Sequence, residues 1–325
     1  MRDHLLMSTP TLREAATGPI DPVTLVEPVI DALDRIIVGK TQQLRLCMAC
    51  LLARGHLLIE DLPGVGKTTL AHALASALGL SYQRIQFTSD LLPADVIGVS
   101  IFSRETGRFA FHKGPIFAQL VLADEINRAT PKAQSALLEA MEERQVTADG
   151  HTYGLPAPFF VVATRNPSDQ IGTFPLPESQ LDRFLMQITL GYPEPEDERL
   201  LLANGDRRAL VDKLDTVMSV ETLLTLQNAV NDVHVSDALL DYVQALVAHT
   251  RESGEFVIGL SPRGAIALVR AAQAWAMMAG HGGVYPEDVQ AVLPGIVAHR
   301  LDPTEGNDLQ PQALGSSILN AVPVT

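Results

Sequence analysis

A short apolar run that breaks into a glycine-rich turn, and then at once into a helix, leaves few folds open. His56-Leu57-Leu58-Ile59-Glu60 is such a run, and Asp61-Leu62-Pro63-Gly64-Val65-Gly66-Lys67-Thr68 follows it without a gap. The run reads as a buried parallel strand, and helical spacing takes over across residues 68–78. Glycines let such a loop curl until successive N–H groups point inward at phosphate oxygens. The helix N-terminus adds its positive end. Pro63, Gly64, Val65, Gly66, Lys67, Thr68 and Thr69 are therefore the predicted phosphate cradle. Lys67 is expected on the outer phosphates and Thr68 on a magnesium ion. The strict pattern has glycine where this chain has Asp61, a change tolerated if that residue stays out of the left-handed region.

Similar apolar runs recur at residues 82–87, 119–123, 159–163 and 184–190, separated in several places by helical patterns. Strands alternating with helices predict an α/β fold, a parallel sheet covered on both faces. The alternation is interrupted at residues 99–111 by a predicted β-hairpin turning near Gly107, and a second is expected at residues 145–153. Beyond Pro193 the pattern is almost purely helical. The predicted division is a flexible N-terminal arm at residues 1–20, an α/β nucleotide-binding domain at 21–192, and a smaller all-α lid at 193–325.

The run Leu120-Val121-Leu122-Ala123 ends in Asp124 and Glu125. Ligands of parallel α/β sheets bind beyond the carboxyl ends of the strands. Asp124 is thus expected in the shell of the magnesium ion, through water. Glu125 is expected to polarise an attacking water as general base.

Composition narrows the partners. With 46% hydrophobic residues the chain can bury a core, which excludes a disordered protein. Lys plus Arg is 24 against 38 Asp plus Glu, a net charge of -14 that disfavours nucleic acid. No apolar run reaches the roughly 18 residues of a membrane span. Residues 1–10 lack the apolar stretch of a signal peptide, so a cytoplasmic location is expected. The two cysteines, Cys47 and Cys50, cannot build a disulfide scaffold or a four-ligand zinc site, and read as helix core.

Four blocks carry a family resemblance: IEDLPGVGKTTLAHALA, LVLADEINRATPKAQSALLEAMEERQVT, FFVVATRNPSDQIGTFPLPESQLDRFLM and SPRGAIALVRAAQAWAMMAG. Together they resemble the MoxR family of AAA+ ATPases, from about Val23 to the C-terminus. The resemblance implies a P-loop sheet with a helix-2 hairpin insert and a lid. It also implies hydrolysis of ATP with Mg²⁺. Asn166 matches sensor 1, which positions water and γ-phosphate. Arg183 matches the arginine finger that acts on a neighbouring subunit's ATP. Arg263 matches sensor 2, a lid cation on the nucleotide, and Val38 and Gly39 match the adenine side. Each arginine has a plainer alternative: an ion pair within the chain for Arg183, an ordinary surface position near a helix start for Arg263. Asn166, before Pro167, has one too, as the start of a turn. Arg128 fits capping and a subunit contact equally. Arg165 and Ile171 stand where Gln and a small or acidic residue are usual.

By the same resemblance the chain is expected to form a homo-oligomeric ring, a hexamer. The ring is expected to remodel, activate or insert a metal cofactor into a client protein complex, with a von Willebrand factor A-domain partner. Three alternatives stay open at this level. One is a related motor acting on DNA, suggested by Arg104, Arg108 and Lys113 on the hairpin. Another is a nucleotide switch without turnover. The third is an activator of Rubisco or nitric-oxide reductase, or a chelatase subunit.

Overall fold

A computed structural model describes residues 21–105, 107–166, 172–204, 208–304 and 310–324. The predicted N-terminal arm and Ile171 lie outside the described residues. The chain opens with α1 (Pro22–Asp34), capped by the Asp21 carboxylate accepting from the Val23 N–H, and α2 (Thr41–Leu52). Then come β1 (Leu57–Glu60), α3 (Lys67–Ala77), β2 (Tyr82–Gln86) and α4 (Pro93–Ile97). The hairpin β3 (Gly98–Ser103) and β4 (Arg108–Lys113) leads to β5 (Leu120–Asp124) and α5 (Pro131–Glu143). A second hairpin, β6 (Gln145–Ala148) and β7 (His151–Gly154), precedes β8 (Phe160–Arg165), α6 (Glu178–Leu181) and β9 (Met186–Ile188). Helices α7 (Pro195–Asn204), α8 (Arg208–Val211), α9 (Val220–Ala229), α10 (Asp237–Glu252), α11 (Pro262–Met278), α12 (Pro286–Val297) and α13 (Pro311–Ala321) complete it.

The main sheet has the order β2-β5-β8-β1-β9 and is parallel throughout. Successive side chains of a strand point to opposite faces, and this sheet divides accordingly. Leu57, Ile59, Leu120, Leu122, Phe160 and Val162 pack under α1, α2 and α3. Leu58, Val121, Ala123, Val161 and Ala163 pack against Leu137, Leu138 and Met141 of α5. Both faces are covered, which is why the strands read as near-continuous apolar runs. Both predicted hairpins are present, each a separate two-stranded sheet.

The predicted boundary at Pro193 falls between β9 and α7. The first core nevertheless runs on without a break into Leu223 and Leu226 of α9, Leu246 of α10, Leu268 of α11 and Val292 of α12. Cys47 and Cys50 are fully buried in α2, and burial pushes the Cys47 thiol up to about 12. Among the described residues no helix is long and apolar enough to cross a membrane.

Candidate active site

Beyond the carboxyl ends of β1, β5 and β8 lies a cleft of about 620 Å³, a size typical of small-molecule sites. Its walls are Ile36, Ile37, Val38 and Lys40, the loop residues Pro63, Gly64, Val65, Gly66, Lys67, Thr68 and Thr69, then Asp124, Glu125 and Asn166, and finally Gly191, Pro193 and Leu201. Gly64 and Gly66 hold φ of 87° and 99°, conformations that side chains rarely adopt. A methyl group at Gly64 would meet nothing within 4 Å, because it would stand in the open cleft. Gly39 does not line the cleft. It packs so closely on Asp197 of α7 that a Cβ there would collide with that carboxylate.

Lys67 is buried, and its ammonium donates to the carbonyls of Asp61 and Leu62 and, at 2.8 Å, to Oδ1 of Asn166. Asn166 in turn donates from Nδ2 to Oε1 of Glu125 at 3.3 Å. Glu125 sits at the end of β5 in a left-handed conformation, φ 56° and ψ 50°. Such backbone strain in a non-glycine residue is a mark of functional sites. Its other oxygen accepts from Gln86 at 2.9 Å and from Arg128 at 3.1 Å. Asp124 is buried; it accepts from the Thr164 hydroxyl at 2.6 Å and from Nε and Nη2 of Arg84 at 3.1 and 2.6 Å. The same Thr164 hydroxyl accepts the Glu125 N–H at 2.9 Å, so one side chain orients both acids.

These residues fit a polyphosphate with a hard divalent cation. The loop offers left-handed glycines, helix-start N–H groups and a buried lysine. The Thr68 hydroxyl and the Asp124 carboxylate are oxygen donors of the kind Mg²⁺ prefers. Oδ1 of Asp124, which accepts from Thr164, has room for a further bond, whereas Oδ2 already takes both Arg84 N–H groups.

Two departures from the expected pattern acquire reasons. Asp61 is buried, and its φ is not positive. Its Oδ1 accepts from the Leu62 N–H at 2.8 Å, and its Oδ2 from the N–H groups of Leu190 and Gly191 at 2.6 and 2.7 Å. A glycine there would lose this tie between the loop and the segment leading into α7. Arg165 pairs with Glu60, its register partner across β8 and β1, at 2.5 Å, so it braces the sheet end.

Arg183 and Arg263 are not among the residues lining the cleft. Both guanidinium groups meet Glu142 of α5: Arg183 Nε stands 3.8 Å from Oε2, and Arg263 donates to Oε1. Glu142 lies eleven residues from Pro131, the first residue of α5, so this cluster stands about 16 Å along the helix from its start. In this arrangement the guanidinium of Arg263, the residue matched to sensor 2, rests on Glu142 outside the cleft. The physical reason is the start of α11. Ser261 caps it by accepting from Gly264 and also donates to Asp182, which carries the Arg263 turn to the outer end of α5.

Three features were not anticipated. Arg84 and Gln86 belong to no motif of β2, although their alternation around buried Ile85 sets both on one side of the strand. Only the pairing of β2 with β5 brings them to Asp124 and Glu125. Arg300, at the end of α12, has a side chain only 4% exposed. It donates to the Asp182 carboxylate and to the carbonyls of Phe184, Leu185 and Ile296, binding the segment around Arg183 to the helical part. No sequence signal marks it.

The geometry defines a P-loop nucleotide site of the AAA class, and comparison with known proteins agrees. Residues 56–186 match the model of the ATPase family associated with various cellular activities (AAA), and residues 248–317 match the AAA lid domain. The chain is 45% identical over 303 residues to the uncharacterised protein YeaC of Bacillus subtilis, covering 92% of this chain and 95% of that one. It is 38% identical to the chaperone MoxR1 of Mycobacterium tuberculosis, covering 94% and 84%, and 35% identical to protein MoxR of Paracoccus denitrificans, covering 89% and 92%. A crystal structure of a candidate ATPase from Cytophaga hutchinsonii superposes with a TM-score of 0.84 at 36% identity, covering 94% of this chain and 96% of that one. The chain belongs to the MoxR family of AAA+ ATPases. It is an ATP hydrolase of the chaperone-like kind.

Proposed function

We propose that this ATPase works as a homo-oligomeric ring, a hexamer, in which neighbouring subunits complete each other's sites. The ring would remodel or activate a client protein complex, or insert its metal cofactor, with a von Willebrand factor A-domain protein as adaptor. The observation that carries the ring is the division of the machinery. Lys67, Asp124, Glu125 and Asn166 meet in the cleft, whereas Arg183 and Arg263 meet outside it on Glu142. Two arginines on that outer cluster suit the γ-phosphate of a neighbour. A guanidinium fork matches the charge that develops there.

In this reading Thr68 and, through water, Asp124 would hold Mg²⁺, which would supply charge neutralisation on the β- and γ-phosphates. Lys67 moves from its carbonyl partners to phosphate oxygens. Asn166 fixes the Glu125 carboxylate, and Glu125 takes the proton of the attacking water. Residues 21–192 act as the nucleotide-binding unit and residues 193–325 as the lid. Pro193 and Leu201 line the cleft, on what would be its lid side. Val99, Ile101, Phe102 and Phe109 of the hairpin are exposed, with Phe109 at 72%. An apolar tip suits a polypeptide client better than the DNA suggested by Arg104, Arg108 and Lys113.

The test is a trap. Glu125→Gln is expected to hold nucleotide while losing hydrolysis by about 10²–10⁴-fold, the worth of a general base. Captured from its own cells with ATP, it should enrich an A-domain protein and one enzyme complex, identified by mass spectrometry. Lys67→Ala should enrich neither. Recovery of nucleic acid, or of this chain alone, would overturn the client reading while leaving the ATPase intact.

A further inference from the structure

A chain with 38 acidic and 24 basic residues has few cations to leave uncompensated, yet three arginines gather around one small cavity far from the P-loop. Arg54 follows the C-terminal end of α2, Arg144 caps α5, and Arg270 lies in the middle of α11. Together with Gln227 and Asn231 they line a cavity of about 260 Å³ that shares no lining residue with the nucleotide cleft. Arg54 and Arg144 both have positive φ, 56° and 52°. Their local hydrogen bonds go to neutral groups: Arg54 donates to Oδ1 of Asn228, and Arg144 to the carbonyl of Arg54 at 3.3 Å. Among the described residues no ion pair joins any of the three to a carboxylate. Glu142 holds Arg183 and Arg263, and Glu143 lines a separate groove. The three charges act on one another, for burial and the charges of Arg54 and Arg270 hold the Arg144 guanidinium below its ordinary value.

We infer that this cavity binds a free tetrahedral oxyanion, inorganic phosphate or pyrophosphate, on Arg54, Arg144 and Arg270. Three guanidinium groups around one cavity favour a multivalent anion over a monovalent one, since each adds its own attraction. Geometry favours the tetrahedral kind. A carboxylate presents two coplanar oxygens to one fork, whereas phosphate presents oxygens in several directions to guanidinium groups that come from three different segments of the chain. The cavity has less than half the volume of the cleft at the P-loop, about 260 against about 620 Å³, which suits a small anion better than a whole nucleotide. Occupancy would tie α11 to the ends of α2 and α5, the same helix whose first turn carries Arg263.

The experiment is calorimetric titration of phosphate and of pyrophosphate, without Mg²⁺ and at low salt, into the full chain carrying Lys67→Ala. That change removes the phosphate affinity of the P-loop. One binding event is expected, weakened about tenfold or more when Arg144→Gln or Arg270→Gln is added, the loss of charged hydrogen bonds. Arg54→Ala should weaken it as well, and since all three arginines are exposed none of these changes cuts into the core. Malonate, a dianion with planar carboxylates, should bind less tightly than phosphate. With Lys67 intact, each arginine variant should still bind ADP, which separates a lost site from a misfolded chain. Absence of binding in Lys67→Ala would overturn the proposal. So would binding indifferent to the arginine changes, or malonate matching phosphate.

Discussion

If Arg183 and Arg263 both act on a neighbour's ATP, neither variant can rescue the other in a mixed ring. Take Arg183→Ala, Arg263→Ala and Glu125→Gln as separate preparations. Each arginine is expected to be worth about 10³ in rate, or about 4 kcal/mol of transition-state stabilisation. The contacts that hold them in the isolated chain are far weaker. Glu142 is 37% exposed, and the two arginines are 30% and 46% exposed. Pairs this open to solvent contribute about 0.2–1 kcal/mol. Glu142 therefore does not prevent either arginine from moving to a phosphate. In an equal mixture of Arg183→Ala and Glu125→Gln, a site works when an intact Glu125 sits next to an intact Arg183. For a ring of identical interfaces that is one half times one half, about a quarter of wild-type activity. The mixture of Arg183→Ala with Arg263→Ala is the decisive one. If both arginines cross the boundary, every neighbour lacks one of them, and phosphate release stays at about a thousandth of wild type. If Arg263 serves its own subunit, the same mixture recovers about a quarter. The two outcomes differ by more than about a hundredfold. Steady-state phosphate release measures them, at concentrations where the first mixture shows that subunits exchange. Recovery in the double-arginine mixture would refute the shared outward placement.

Arg300→Ala should destabilise the chain by about 3–5 kcal/mol, since it leaves the Asp182 carboxylate and the carbonyls of Phe184 and Leu185 without their buried donor; urea unfolding with a loss below about 1 kcal/mol would contradict this. His56 accepts the Val161 N–H on Nδ1, and burial pushes its pKa down from 6.5 to about 4. The unfolded chain binds the proton that the folded one refuses, so stability should fall as pH drops from about 6.5 to about 4, by up to about 3 kcal/mol. Buried His299 is shifted in the same direction, and His56→Gln should flatten the slope in denaturation curves across this range; a stability that holds or rises on acidification of the wild type would count against it. Gly98 has φ 107°, and a Cβ there would run into the backbone of His112 and Gly114. Gly98→Ala should cost about 2 kcal/mol or more and displace the first hairpin, seen as new proteolytic cuts between residues 98 and 113, while ADP binding is retained.

What could be read from the chain was local. The cradle at Gly64-Val65-Gly66-Lys67-Thr68 was legible because the φ needs of a phosphate loop and the helix after it lie in consecutive residues. The acids Asp124 and Glu125 were legible because an apolar strand announces its own end. The hairpins were legible from their turns, and even the departure at Asp61 was visible, though not its purpose. The tertiary structure decided everything that depends on which strand lies beside which and where a helix begins. Parallel pairing of β2 with β5 brings Arg84 onto Asp124, 40 residues away. The capped start of α11 brings Arg263 onto Glu142, 121 residues away, and so out of its own cleft. The packing of α2, α5 and α11 gathers Arg54, Arg144 and Arg270. Periodicity and turn chemistry act over a few residues, so they specify elements and loop chemistry directly. Convergence of distant side chains follows from sheet order, crossovers and core packing, which no window of sequence contains.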